Sequence, residues 1–92
     1  MSKRITMQDL QELVNRLNDL TNSPAAPWTV KNGVFTAHIG NYHLDGAYGG
    51  WKLSQMVNEN GGTKDISTIG YGSKRELYTW ITAYIAGHAV SI

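Results

Sequence analysis

The chain has 92 residues, of which 41% are hydrophobic and 16% charged, with a formal net charge of +1. This composition predicts one packed domain over residues 1–92, with residues 1–5 disordered, and the near-neutral charge argues against general nucleic-acid binding. The absence of cysteine excludes disulfides and thiolate metal ligands. Because there is neither a run of roughly 20 apolar residues nor a signal-peptide core, we expect a cytoplasmic protein without a membrane partner. A domain this small is also expected to form a homo-oligomer.

The first helix is predicted to begin after Thr6. Thr6 and Asp9 have the spacing of a capping box, in which each side chain accepts a hydrogen bond from the other residue's backbone. The following apolar residues recur every three or four positions and form one stripe: Met7, Leu10, Leu13, Val14, Leu17 and Leu20. The polar run of residues 21–27, which contains two prolines, predicts the end of the helix and a linker to the sheet.

From Trp28 onward the hydrophobic pattern alternates, which predicts antiparallel strands. Asn32-Gly33 indicates a two-residue hairpin turn that pairs Val30 with Phe35 and Trp28 with Ala37. A second tight turn at Gly40-Asn41 would give four further pairs: Ile39 with Tyr42, His38 with His43, Ala37 with Leu44, and Thr36 with Asp45. Both registers place the same apolar residues on the inner face: Trp28, Val30, Phe35, Ala37, Ile39, Tyr42 and Leu44.

Two further strands are predicted after a flexible, glycine-rich connection at residues 46–50. The fourth strand is expected over residues 51–58, with Trp51, Leu53 and Val57 pointing inward. Residues 60–62 form the next turn, and residues 65–69 are either a short edge strand or part of a mobile loop over residues 63–70.

The second helix is predicted from a second capping box, with Ser73 as N-cap and Glu76 at the third helical position. Its apolar stripe contains Leu77, Trp80, Ile81, Tyr84 and Ile85, and Gly87 is expected to end it. The element order predicts an α+β domain with two layers. The N-terminal and C-terminal helices would cover one face of a four- to five-stranded antiparallel sheet, and the other face would stay open.

The start of the second helix is the strongest candidate site. Gly72, Ser73, Lys74 and Arg75 place a capping hydroxyl and two cations where backbone N–H groups point outward, which is an arrangement that binds phosphates and carboxylates. Positive side chains are disfavoured by the dipole in a first helical turn, which indicates another use for them. The structural alternative is a plain helix cap with solvated cations, in which Glu76 already satisfies one backbone donor.

A second constellation is His38 opposite His43, with Asp45 two residues further along the strand. Two imidazoles and a carboxylate could hold zinc or act as acid and base. Because no third His or Cys lies near, contacts with a polar ligand or a partner are more consistent with the pattern. Histidines on an open sheet face are also common without any role. We therefore predict no metal and no cofactor.

Tyr48 and Tyr71 lie between glycines in predicted loops, where their rings could stack on a flat ligand. Tyr42 and Trp51 fit the core pattern equally well. Enzyme signatures are missing from the sequence: Gly70 and Gly72 lack the rest of a dinucleotide fingerprint, and no serine has a nucleophile motif. We therefore expect a protein that is not an enzyme.

Three spaced motifs resemble a group of small tailed-bacteriophage proteins to which no activity is assigned. They are the segments of residues 44–51 (LDGAYGGW), 60–62 (NGG) and 73–78 (SKRELY), with Ala86-Gly87 after them. The similarity covers roughly residues 34–87. It brings no catalytic residues, but it implies an accessory phage protein in the bacterial cytoplasm, where such proteins often block a host protein or sequester a nucleotide signal.

Two functional hypotheses from different classes follow. The leading one is a non-enzymatic module that binds an anionic, nucleotide-like ligand and sequesters a host immune signal. Its candidate residues are His38, His43, Tyr48, Tyr71, Gly72, Ser73, Lys74 and Arg75. The alternative is a protein-interaction module that inhibits a host defence protein, or another host protein, through the open sheet face or a helix.

Overall fold

The computed structural model describes residues 4–90, apart from the side chains of residues 89 and 90. Its elements are α1 (Met7–Leu20), β1 (Trp28–Lys31), β2 (Val34–Ala37), β3 (Tyr42–Ala47), β4 (Gly50–Met56), β5 (Thr63–Asp65) and α2 (Lys74–Val90). The predicted α+β class and the order of helix, strands and helix are confirmed. Of the segment predicted to be disordered, residues 1–3 lie outside the described residues, and Ile5 packs against the core.

The α1 capping box forms as predicted. The Asp9 N–H donates to Thr6 Oγ1 at 3.1 Å, and the Thr6 N–H donates to Asp9 Oδ2 at 2.9 Å. Three members of the apolar stripe, Leu10, Val14 and Leu17, are fully buried. The helix face predicted from the 3.6-residue period is therefore the face that enters the core.

Asn18 is a buried polar residue on the same helix, and it joins α1 to β3. Its amide group donates from Nδ2 to the Tyr42 carbonyl at 3.0 Å, and its Oδ1 accepts from the Tyr42 N–H at 2.8 Å. One side chain thus satisfies both backbone groups of Tyr42. The buried amide supplies the hydrogen bonds that a neighbouring strand would otherwise make, because β3 is an edge strand and pairs with β4 on its other side only.

The first hairpin has the predicted register. Val30 lies opposite Phe35 and Trp28 opposite Ala37. Asn32 and Gly33 both have positive φ, 53° and 78°, as a type I′ turn requires.

The predicted turn at Gly40-Asn41 is wrong, and the strands divide into two sheets instead of one. β1 pairs only with β2, whereas β3, β4 and β5 form a separate three-stranded sheet. Gly40 and Asn41 extend the pairing with β4: the Gly40 N–H donates to the Met56 carbonyl, and the Met56 N–H donates to the Asn41 carbonyl. Because these backbone groups are used by Met56, the pairs predicted between β2 and β3 do not form.

Tyr48 and Gly49 form the turn that was missed. They have φ values of 54° and 76° and connect β3 to β4 in a two-residue hairpin, where the sequence predicted a flexible connection. The β4 strand spans Gly50–Met56, and Val57 is exposed instead of inward. The edge strand also lies earlier than predicted, at Thr63–Asp65.

The core lies between the two helices and the β3–β4 pair. Its buried residues are Leu10, Val14, Leu17, Tyr42, Leu53, Leu77 and Ile81. Most of the predicted inner face of the first hairpin does not take part, because Trp28, Val30 and Phe35 are exposed and Ala37 alone of these four is buried. Separation of the hairpin from the second sheet explains this difference, since no helix then covers its apolar face.

The second helix begins as predicted but does not stop at Gly87. α2 continues through Gly87 to Val90, and the predicted left-handed stop is wrong. Within residues 4–90, neither helix combines the length and hydrophobicity that crossing a bilayer requires.

Replacing Asn18 tests the link between α1 and β3. We expect Asn18→Ala to lower the free energy of unfolding by about 1–3 kcal/mol or more. The substitution leaves both backbone groups of Tyr42 buried and unpaired. Asn15→Ala on the exposed side of the same helix is the matched control and should stay within about 0.5 kcal/mol of wild type. Urea denaturation measures both. Equal effects of the two substitutions would contradict the proposed link.

Gly87→Ala tests the end of α2, because the two conformations of Gly87 predict opposite signs. A Cβ at this position meets no atom within 4 Å. Inside a helix, alanine should raise the free energy of unfolding by about 0.5–1 kcal/mol. At a left-handed stop, alanine would lower it. Thermal unfolding followed by circular dichroism distinguishes the two signs.

Candidate functional site

A single backbone bridge brings the β3–β4 hairpin to the start of α2. The Trp51 N–H donates to the Gly72 carbonyl at 2.9 Å, and the Gly72 N–H donates to the Trp51 carbonyl at the same distance. The approach is close on the neighbouring residue too, because a Cβ on Gly50 would lie 2.5 Å from the Tyr71 carbonyl oxygen. Glycine at position 50 therefore permits the contact that places the hairpin turn beside the helix N-terminus.

The predicted cap of α2 is present. The Ser73 N–H donates to Glu76 Oε1 at 2.9 Å, and the Glu76 N–H donates to Ser73 Oγ at 3.1 Å. Hydrogen bonding to Ser73 lowers the pKa of Glu76 below its usual value. The bond with the Ser73 backbone has the larger effect, and the bond with the Ser73 hydroxyl has the smaller one. The cap thus fixes the position of a carboxylate, and it occupies two backbone N–H donors at this end of the helix, those of Ser73 and Glu76.

Beside this cap lies a cavity of about 440 Å³, here called the cationic cavity. Its lining residues come from the N-terminal segment, the hairpin and the helix start: Arg4, Ile5, Gly49, Trp51, Ser73, Lys74 and Arg75. Ser73, Lys74 and Arg75 therefore line one cavity together with Arg4 and Trp51. Gly72 does not line the cavity, but its backbone bridge holds Trp51 against the helix start.

Arg4 is the functional candidate that sequence reasoning missed. It precedes α1 by three positions, and the packing of α1 against α2 carries it to the start of the second helix. No local sequence pattern predicts that Arg4 lies near Arg75, because most of the chain separates the two residues. The one available signal was a cation next to an apolar residue, Ile5, immediately before a capping box.

A second, more apolar cavity of about 550 Å³ adjoins the first. It is lined by Ile69, Ser73, Arg75, Glu76, Thr79 and Trp80. Ser73 and Arg75 line both cavities, so the two share a wall at the first turn of α2. The Trp80 ring is fixed by a hydrogen bond from its Nε1 to Thr68 Oγ1 at 3.3 Å and by stacking on Tyr84.

The two tyrosines predicted to stack on a ligand contact each other instead of lining the cationic cavity. Tyr48 and Tyr71 meet edge to face, with ring centroids 5.6 Å apart. Tyr48 is 96% exposed at the tip of the hairpin. The Lys52 ammonium lies 4.5 Å from the centroid of the Tyr71 ring, so Tyr71 already has a cation on one face.

Lys52 pairs with carboxylates on the face of the second sheet opposite Leu53, where Ser54 and Met56 are also buried. Its ammonium lies 2.8 Å from Asp65 Oδ1 and 4.0 Å from Asp45 Oδ2. The hydrogen bond with Asp65, followed by that with Tyr71, raises the pKa of Lys52 above its usual value. Lys52 therefore forms a network of paired charges with Asp45 and Asp65, and Asp45 belongs to a salt bridge.

The predicted pair of His38 and His43 does not form. His38 lies at the base of the first hairpin, where its Nδ1 is 2.9 Å from the Ala26 carbonyl and its Nε2 contacts the Thr29 hydroxyl. His43 lies opposite Ser54 in the β3–β4 pair, and its Nδ1 is buried without a hydrogen-bond partner among the described residues. Within residues 4–90 there is no cluster of three or more His, Cys, Asp or Glu side chains that could hold a metal ion.

No protein-family model matches this sequence, and neither a curated protein nor a solved structure is significantly similar to it. The roles of these residues therefore follow from their geometry alone.

The lowered pKa of Glu76 predicts how the cap responds to pH. A carboxyl whose pKa is lower in the folded than in the unfolded chain stabilises the fold above the unfolded value, here 4.5. That contribution disappears as the pH falls through the folded pKa. We expect the stability difference between wild type and Glu76→Gln to be constant near neutral pH and to shrink below about pH 4.5.

Urea denaturation between about pH 3 and pH 7 measures this difference. Glu59→Gln is the matched control, because Glu59 is exposed and its carboxylate has no hydrogen bond among the described residues. A wild-type advantage over Glu76→Gln that grew on acidification would contradict the assignment of the capping carboxylate.

Proposed function

We propose that this protein is a non-enzymatic binding protein for a small anionic, nucleotide-like ligand, which it holds in the cationic cavity. One observation carries the proposal. Three cationic residues from two distant parts of the chain, Arg4, Lys74 and Arg75, line one cavity at the N-terminus of a helix. Charges of one sign repel each other, so their convergence on one concave surface favours a ligand of opposite charge.

The electrostatics of the helix end add to this attraction. The N-terminus of α2 carries the positive end of the helix dipole, and phosphates and carboxylates bind at such positions through outward-pointing N–H groups. The guanidinium groups of Arg4 and Arg75 can each give two parallel hydrogen bonds to one phosphate or carboxylate. Glu76 opposes this field, but its carboxylate is turned into the cap by its bond from Ser73.

The dimensions and the neighbouring surface support a nucleotide-like ligand over a simple inorganic anion. A volume of about 440 Å³ lies in the range of small-molecule sites. The adjoining cavity offers the apolar side chains of Ile69 and Trp80. A ligand with a phosphate in the cationic cavity and a flat ring near Trp80 would contact both, with Arg75 between them.

The proposal includes no chemical step. The Ser73 hydroxyl accepts a hydrogen bond from the Glu76 N–H as part of the cap, and the charged residues that line the cationic cavity are cations. Such a site binds an anion and stabilises its charge. In the setting that the resemblance to small phage proteins implies, a protein of this kind would sequester a host nucleotide signal.

Isothermal titration calorimetry with a panel of cyclic and linear nucleotides tests the proposal. We expect at least one nucleotide to bind wild type, and Lys74→Ala and Arg75→Ala each to weaken that binding by about 10- to 150-fold, equivalent to about 1.5–3 kcal/mol. Lys64→Ala is the matched control, because Lys64 is an exposed cation on β5 and does not line the cavity. Its affinity should equal that of wild type.

The stability of each variant must be measured beside its affinity. Unfolding of Arg75→Ala would make this arginine a structural residue and would contradict its role in the site. Absence of binding across the panel, with folded wild-type protein, would reject the proposed function. A stoichiometric host protein recovered from bacterial lysate after nucleotide removal would favour the alternative, a protein-interaction module.

A further inference from the structure

One face of the first hairpin is apolar and exposed. In the register of β1 with β2, Trp28, Val30 and Phe35 lie on the same face, and their exposed fractions are 39%, 56% and 66%. The Trp28 and Phe35 rings meet edge to face with centroids 6.4 Å apart, so these side chains form one continuous surface. We call these three residues the hairpin patch.

The hairpin is anchored at its base. There, the Ala37 N–H donates to the Glu59 carbonyl and the Trp28 ring packs closely on Gly61, while the bond from the His38 N–H to the Pro27 carbonyl closes the hairpin itself. Beyond the base, the two strands pair only with each other. A two-stranded hairpin without a covered face is at best marginally stable in water. The hairpin patch therefore needs a cover that residues 4–90 do not provide.

We infer that this cover is the hairpin patch of a second copy, and that the chain forms a homodimer through β1 and β2. Charge favours this partner. Lys31 is the only Lys, Arg, Asp or Glu between residues 21 and 44. It pairs with Val34, so its side chain lies on the face opposite the patch. Two patches can consequently approach without burying the one charged side chain of the hairpin itself.

The available area agrees with a weak, reversible dimer. The exposed fractions of the three side chains correspond to roughly 300 Å² of apolar surface per chain, taking about 150–250 Å² for a whole aromatic side chain. Two copies would bury about 600 Å² of apolar surface, and homodimer interfaces are about 65% apolar, which gives a total near 900 Å². Interfaces of this size belong to weak complexes, so we expect a dissociation constant in the micromolar range.

Sedimentation equilibrium of the full chain, from low micromolar to near-millimolar concentration, measures this association. The mass should rise from the 10.2 kDa of one chain toward twice that value. Phe35→Asp should raise the dissociation constant at least about tenfold, because two aspartates would face each other across the interface. Val34→Asp is the matched control, since Val34 is 63% exposed on the opposite face of the same strand, and it should change the constant less than about twofold.

A cross-linking experiment checks the geometry of the interface. The chain has no cysteine, so single cysteines can be introduced at chosen positions. With a short bismaleimide, Val30→Cys should give a covalent dimer and Val34→Cys should not. A monomer at every concentration, equal effects of the two aspartates, or capture of a different protein through the patch would each overturn the inference. Nucleotide binding is not part of either readout, so the two proposals fail independently.

Discussion

The two backbone hydrogen bonds between Trp51 and Gly72 are the constraint on which the candidate site depends. They join the start of β4 to the residue before the α2 cap and involve no side-chain chemistry. Without them, the hairpin turn at Gly49 and the cations of the first helical turn would not line the same cavity. Main-chain bonds of this kind fix position with little freedom, which suits a site whose lining groups must stay in place before a ligand arrives.

The position of Arg4 depends on how α1 is held. The Asn18 amide fixes α1 to β3, and β3 carries β4 through their shared hairpin. Arg4 reaches the cavity because the segment before α1 follows the same packing. The site is therefore built by contacts far apart in sequence, and a change in the core at Asn18 would also move a cation at the surface.

Features set by neighbouring residues could be predicted from the sequence, whereas pairings between distant residues could not. Both capping boxes and the Asn32-Gly33 hairpin form as predicted, since the caps join residues three positions apart and the hairpin pairs residues three to nine positions apart. The Tyr48-Gly49 turn was missed because tyrosine rarely adopts a positive φ, and here its partners across the hairpin impose it. The division into two sheets depends on the backbone hydrogen bonds of Met56 with Gly40 and Asn41. No local sequence pattern predicts this pairing. For the same reason, the sequence did not indicate that Arg4 lies at the site, and the predicted pairing of His38 with His43 is wrong.

The placement of charge explains why the two proposed surfaces can work separately in so small a domain. The cations at the start of α2 oppose the helix dipole, and the capping carboxylate of Glu76 or a bound anion would offset part of that cost to stability. The hairpin patch has the opposite character, with one charged residue in the surrounding 24 and that one on the other face. An anion attracted by the first surface gains nothing from the second, and an apolar partner of the second has no reason to enter a cavity lined by arginine and lysine. Electrostatic attraction and hydrophobic burial thus assign each surface to a different kind of partner.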